Sequence, residues 1–142
     1  MNDIGNISIH DGPFFYGDDP IKNQALGNTS SIESDVFDLA NTQAALKILI
    51  YATEGEATLA ESKTIKAEIL GCDTEDGEFS VFDSVTLTGA ASSGTGIAAD
   101  ETTPLMRFIP PPDAPKYGKL KITTDSDVSA VKVTAKIGYI AR

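Results

Sequence analysis

From residue 117 onward the apolar side chains recur at every second position, and that period admits a pleated strand far more readily than a helix. Leu120 and Ile122 alternate with Lys119, Lys121 and Thr123. Val131, Val133, Ala135, Ile137 and Tyr139 alternate with Lys132, Thr134 and Lys136. The same reading applies upstream. Ser62–Leu70 sets Ile65, Ala67 and Ile69 against Lys66 and Glu68, and Phe79–Thr88 carries Val81, Val85 and Leu87. Ala45–Thr53 places Leu46, Ile48 and Ile50 on one face and Lys47, Leu49 and Tyr51 on the other, so it reads as a central strand with two apolar faces. Ile32–Leu39 and Leu105–Ile109 complete seven strands, the last ended by Pro110-Pro111-Pro112.

Turn signals separate these segments at Glu54-Gly55-Glu56, Asp73–Glu78, Gly89–Gly96, Pro110–Pro115 and Asp125-Ser126-Asp127. Short strands with regular punctuation predict an all-β fold, an antiparallel sandwich. The expected core is Leu46, Ile48, Ile50, Ile65, Ile69, Val85, Leu87, Ile122, Val131, Val133 and Ile137. Ala57–Glu61 is expected to form a short helical turn, since Ala and Glu favour helix. Gly89–Asp100 is small and polar and is expected to be a flexible loop.

Residues 1–31 read differently. Breakers such as Asp11-Gly12-Pro13 and Gly17-Asp18-Asp19-Pro20 leave no period, and the segment is expected to be an extended N-terminal arm on a sandwich of residues 32–142. Inside it Phe14, Phe15 and Tyr16 are adjacent, and three rings in an irregular segment need a surface to lie on. They are candidates for a protein interface on a neighbouring subunit. Folding back onto their own domain satisfies the same need.

Charge narrows the function. The chain of 142 residues carries a formal net charge of −10. A nucleic-acid reader requires a basic face, because counterion release supplies much of its affinity, and none is expected. The distribution is uneven: residues 1–46 hold seven acids and one lysine, whereas residues 111–142 hold three acids and six bases. No stretch is long and apolar enough to span a bilayer, the longest, near Ala44–Ala52, being broken by Lys47. Residues 1–16 lack the basic start and apolar run of a secretory signal, so none is expected.

The supply of reactive residues argues against catalysis and against a cofactor. The chain has one His, His10 in the arm, and one Cys, Cys72 at a strand end. A nucleophile–base pair needs rigid juxtaposition, and a zinc site needs three or four ligands. Asp73-Thr74-Glu75-Asp76-Gly77-Glu78 resembles a cation loop only loosely, with Gly fifth rather than sixth, and reads as a hairpin turn in which Asp-Gly supplies a positive φ. Asp18-Asp19 and Asp125/Asp127 read as acidic turns. There is no Trp, and a carbohydrate-binding sandwich would have to draw on Tyr51, Tyr117 and Tyr139.

The order of these elements resembles a known family. Asp35-Val36-Phe37-Asp38-Leu39 is followed by the two-sided strand, the alternating Thr64–Leu70, the acidic turn and Pro104–Pro112. Lys116-Tyr117-Gly118-Lys119-Leu120-Lys121-Ile122 and a valine-rich final strand then close the chain. This succession, over roughly residues 30–142, is similar to that of the small jelly-roll cement, or decoration, proteins on the heads of tailed bacteriophages. The resemblance implies a jelly-roll-like sandwich made in the host cytoplasm. It would lie on the outer surface of the virion, bridge neighbouring major capsid proteins, and associate with itself as a dimer or trimer. Residues 1–29 depart from the family pattern. The alternative reading is a sandwich module that binds carbohydrate or a host surface.

Overall fold

The computed structural model describes residues 14–15, 19–38, 46–109 and 115–139, and every regular element among them is a strand. In chain order these are β1 (Phe14–Phe15), β2 (Ile21–Ala25), β3 (Ser31–Glu33), β4 (Phe37–Asp38), β5 (Leu46–Glu54) and β6 (Glu56–Leu59). They continue with β7 (Thr64–Cys72), β8 (Ser80–Thr88), β9 (Thr95–Ala98), β10 (Met106–Phe108), β11 (Tyr117–Thr124) and β12 (Lys132–Tyr139).

Two antiparallel sheets carry the fold. One runs β12-β5-β10, with β1 and β2 both paired to the outer side of β12. The other runs β11-β7-β8, with β3 and β4 both paired to the outer side of β11. With β1 and β2 taken as one edge, β3 and β4 as the other, and the β6–β9 ribbon set aside, six of the seven connections among the described strands pass from one sheet to the other, the β7–β8 hairpin being the exception. The period-2 faces meet between the sheets. Ile48, Ile50, Ala52, Val133, Ala135 and Ile137 from the first share one buried cluster with Ile65, Ala67, Ile69, Leu120 and Ile122 from the second. Register stacks them: Ile48 lies opposite Ile137 and Ile50 opposite Ala135, while Ala67 lies opposite Ile122 and Ile69 opposite Leu120.

β5 is central, as its two-sided pattern requires. Leu49 and Tyr51 are buried on the face turned away from the main cluster, and burial pushes the Tyr51 hydroxyl above its ordinary pKa. Of the expected core, Val85 and Leu87 are only half-buried against the cluster, and the Leu46 side chain lies outside the described residues.

Several expectations are corrected. Residues 21–26, placed in the arm, belong to the sandwich: β2 pairs with β12, and Ile21 and Leu26 are buried in the core. Ile32–Leu39 is not one strand. It is divided at Ser34, which stands in for ladder geometry: its N–H donates to the Leu120 carbonyl at 2.8 Å and its Oγ accepts the Leu120 N–H at 2.9 Å. Ala57–Glu61 is not helical. Glu56–Leu59 is β6, paired with β9 from within the supposed flexible loop. Tertiary pairing overrides helix propensity here because it buries Leu59 and Ile97, which turns this small ribbon into a lid on one end of the core. Gly55 permits the tight passage from β5 into β6: its φ is +79°, and a side chain there would meet the Ala130 carbonyl.

Replacing Ile21, Leu59 or Ile97 by Ala should each cost about 2–5 kcal/mol in chemical denaturation, as Ile48→Ala should, in the range for large core truncations. A cost near zero at Ile21 would show that the N-terminal strand is not part of the cooperative unit.

Candidate interaction surface

The two sides of the sandwich are built differently. On one side the edges of β12 and β11 are each covered twice, by β1 and β2 and by β3 and β4. On the other, β8 ends one sheet and β10 the other, and no described strand pairs with the outer edge of either. An unpaired edge presents a row of amide and carbonyl groups and is usually blunted by charge, proline or brevity. β10 is short, three residues. β8 is nine residues, Ser-Val-Phe-Asp-Ser-Val-Thr-Leu-Thr, with Asp83 as its one charge.

β8 has one irregularity. Ile69 faces Asp83 whereas Leu70 faces Val81, so Phe82 has no counterpart on β7. The Phe82 ring fills the space over Gly71, where an added Cβ would come within 2.7 Å of the ring and 2.6 Å of the Pro115 side chain. The bulge re-aims the strand, so that Val81 lies on the outer face, 49% exposed. From Ser84 to Thr88 the pairing with β7 is regular.

Between β8 and the β10 segment lies a groove with a cavity volume of about 570 Å³. Val85, Thr86 and Leu87 line one wall, and Thr103, Pro104, Leu105, Met106 and Arg107 the other. Val85, Leu87 and Leu105 are half-buried, packed inward on the core yet open to the groove. Arg107 is the one charged residue in the lining, and it is exposed. Ile109, just beyond β10, is 55% exposed.

The opposite side carries a polar network. A bulge in β2 puts Asn23 at φ 48°, a conformation Asn tolerates better than most residues. Its N–H donates to Thr134 Oγ1 at 2.9 Å, its Nδ2 to Glu54 Oε2 at 2.6 Å, and its Oδ1 accepts from the Thr53 hydroxyl at 2.7 Å. The Asn23 hydrogen bond, then Lys132 at 3.7 Å, hold the Glu54 carboxyl below its ordinary pKa. Lys136 meets Asp19 at 3.3 Å a few residues away. These contacts fasten β2 to the sheet, and each group is already engaged.

The expected site residues distribute as follows. Phe14 and Phe15 form β1 by backbone pairing, opposite Tyr139 and Gly138 of their own chain. Their rings, Tyr16 and His10 lie outside the described residues. Gly77 in the acidic hairpin does not adopt a positive φ. It is glycine because an added Cβ would approach Cys72 Sγ and Thr74 Oγ1. Among the described residues no group of three or more His, Cys, Asp or Glu is arranged to hold a metal. Asp100 and Asp127 cap their own turns instead. Asp100 accepts from the Thr102 hydroxyl at 2.7 Å and from the Thr102 and Thr103 N–H groups at 2.8 and 3.1 Å. Asp127 accepts from the Ser129 hydroxyl at 2.7 Å and from the Ser129 N–H at 3.2 Å. Of the tyrosines proposed for a sugar platform, Tyr51 is buried and Tyr117 is half-buried with the Lys116 ammonium 5.4 Å from its ring centre. The Tyr139 ring lies outside the described residues. No helix among the described residues is long and apolar enough to cross a membrane. Compared with known proteins, the chain matches no family model and no curated protein.

The groove escaped sequence reasoning because its walls are distant in sequence and meet only through strand order. Its one legible sign was the scarcity of charge along β8.

The turn carboxylates contribute to the acid response. Hydrogen bonds to Asp100 and Asp127 hold both below the ordinary carboxylate pKa. A lowered folded-state pKa contributes stability that is present above the unfolded value, about 4, and lost as pH falls through the folded value. The denaturation midpoint of Asp100→Ala should therefore lie below wild type at pH 7, with the gap shrinking below about pH 4. A gap that is constant with pH would contradict the ionised cap.

Proposed function

We propose that the protein is a structural virion component, a cement or decoration protein that binds the outer surface of a phage head and bridges neighbouring major capsid subunits. The observation that carries this reading is the strand path. With β1 and β2 as one edge and β3 and β4 as the other, the sheets run β2-β12-β5-β10 and β3-β11-β7-β8, and with the β6–β9 ribbon set aside the chain crosses between them at every connection but the β7–β8 hairpin. That path supports a jelly roll, the architecture the sequence resemblance implies.

The physical design fits the role. A cement protein must be rigid, because any ordering at the interface subtracts from affinity. Here the loops at one end are tied together rather than free. The turn after β2 meets the turn before β12 through the Thr29 N–H to the Ser126 carbonyl and the Val128 N–H to the Gly27 carbonyl, both 3.0 Å. β6 and β9 close the same end over Leu59 and Ile97. Repetition on a lattice then converts modest contacts into avid binding. Self-association as a dimer or trimer belongs to the same proposal.

The test is direct. Heads assembled from the major capsid protein encoded in the same genome are imaged by cryo-electron microscopy with and without added protein. The expected result is ordered density on the outer surface at a fixed ratio to the shell subunit, with a higher melting temperature of the decorated shell. Heads left bare at micromolar protein would contradict the reading.

A further inference from the structure

We propose that the groove between β8 and β10 is a docking site for an extended, acidic–aliphatic strand contributed by another protein; in the role proposed above, by a shell subunit. The inference rests on that role and names the surface through which it is exercised.

Three observations converge on this side of the molecule. First, it is where both sheets end without a partner among the described residues, and β8 from Ser84 to Thr88 is a regular, uncharged edge. A peptide in extended conformation can continue such a sheet, taking affinity from main-chain hydrogen bonds and specificity from side chains that fall into adjacent pockets. Second, those pockets are present. Val85 and Leu87 on one wall and Leu105 on the other are half-buried and open to the groove, so alternate aliphatic side chains of an added strand would complete their burial. Third, the lining carries a single charge, Arg107, which faces Leu49 across the β10–β5 ladder and forms no ion pair among the described residues. A carboxylate on the incoming strand complements it, and Arg presents a planar fork suited to that group.

The same features disfavour a groove-to-groove pair of this chain. Groove against groove sets two concavities face to face and leaves both unfilled. It also brings the two Arg107 side chains together without an acid between them. An extended strand entering from outside fills the concavity and supplies the missing charge.

The experiment uses the full-length protein and the shells described above. Arg107→Glu, at an exposed position, should keep the wild-type melting temperature and weaken shell binding by tenfold or more, while Arg107→Lys should retain most of it. Val85→Lys, which removes apolar burial from the opposite wall, should weaken binding comparably, with circular dichroism verifying that it folds. Light scattering on the same samples should show an unchanged oligomeric state. Full binding by a folded Arg107→Glu and Val85→Lys would overturn the proposal while leaving decoration intact. A changed oligomeric state in these variants would assign the groove to a second copy instead. A lowered melting temperature for Arg107→Glu with full shell binding would assign it to a segment of the same chain. Failure of the unmodified protein to decorate shells would remove the decoration reading, and this assignment with it.

Discussion

Everything in this fold depends on the apolar faces of β5 and β12 resting on those of β7 and β11. These four strands contribute the fully buried isoleucines and valines at the centre of the cluster, including Ile48, Ile50, Ile65, Ile69, Ile122 and Val133. Sheets packed this way must keep their strand registers, because a slip of one residue would turn the whole set of apolar side chains outward. The registers of β12 on β5 and of β11 on β7 run through eight residue pairs each, with a single irregularity where Lys132 faces Glu54 and Val133 faces Ala52. The remaining strands are additions to this frame, and their position on it decides what they can do.

The additions are asymmetric. The early strands β1 to β4 are spent on one side, covering the edges of β12 and β11. On the other side β8 and β10 lie close to each other without pairing, and no described strand is hydrogen-bonded to the outer edge of either. Polar devices reinforce the difference. Asn23, Glu54 and Lys132 fasten β2, and Ser34 fastens the break between β3 and β4. A molecule closed on one side and open on the other has a direction, which a protein that bridges neighbours on a lattice requires. Surface ion pairs such as Lys66–Glu68 at 3.6 Å and Lys119–Glu33 at 3.5 Å add little to stability and keep the outer face of the second sheet nearly neutral.

The strands that bury one clean face were legible in the sequence. β7, β11 and β12 alternate without interruption, and β5 announced its central place by the apolar pair Leu49 and Tyr51 on its second face. What escaped was carried by pairing rather than by pattern. β2 shows four exposed positions after Ile21, and its bulge at Asn23 breaks the period. β9 has one large apolar residue, Ile97, in a run of Gly, Ala, Ser and Thr, so nothing local marks it as a strand. β6 has the composition of a helix and becomes a strand because β9 is beside it. The candidate site was less legible still. The aromatic cluster drew attention to Phe14, Phe15 and Tyr16, while the groove is assembled from residues 85–87 and 103–107, whose proximity is set by the strand order of two sheets.

The central claim is that one side of the sandwich is open. Amide hydrogen exchange of the free protein, resolved by residue, measures it directly. β5, β7, β11 and β12 should exchange slowly throughout. Between Ser84 and Thr88 the amides should alternate, those bonded to β7 slow and those facing outward fast. Uniform slow exchange along β8, equal to that of β7, would mean that the edge is covered and would contradict the account.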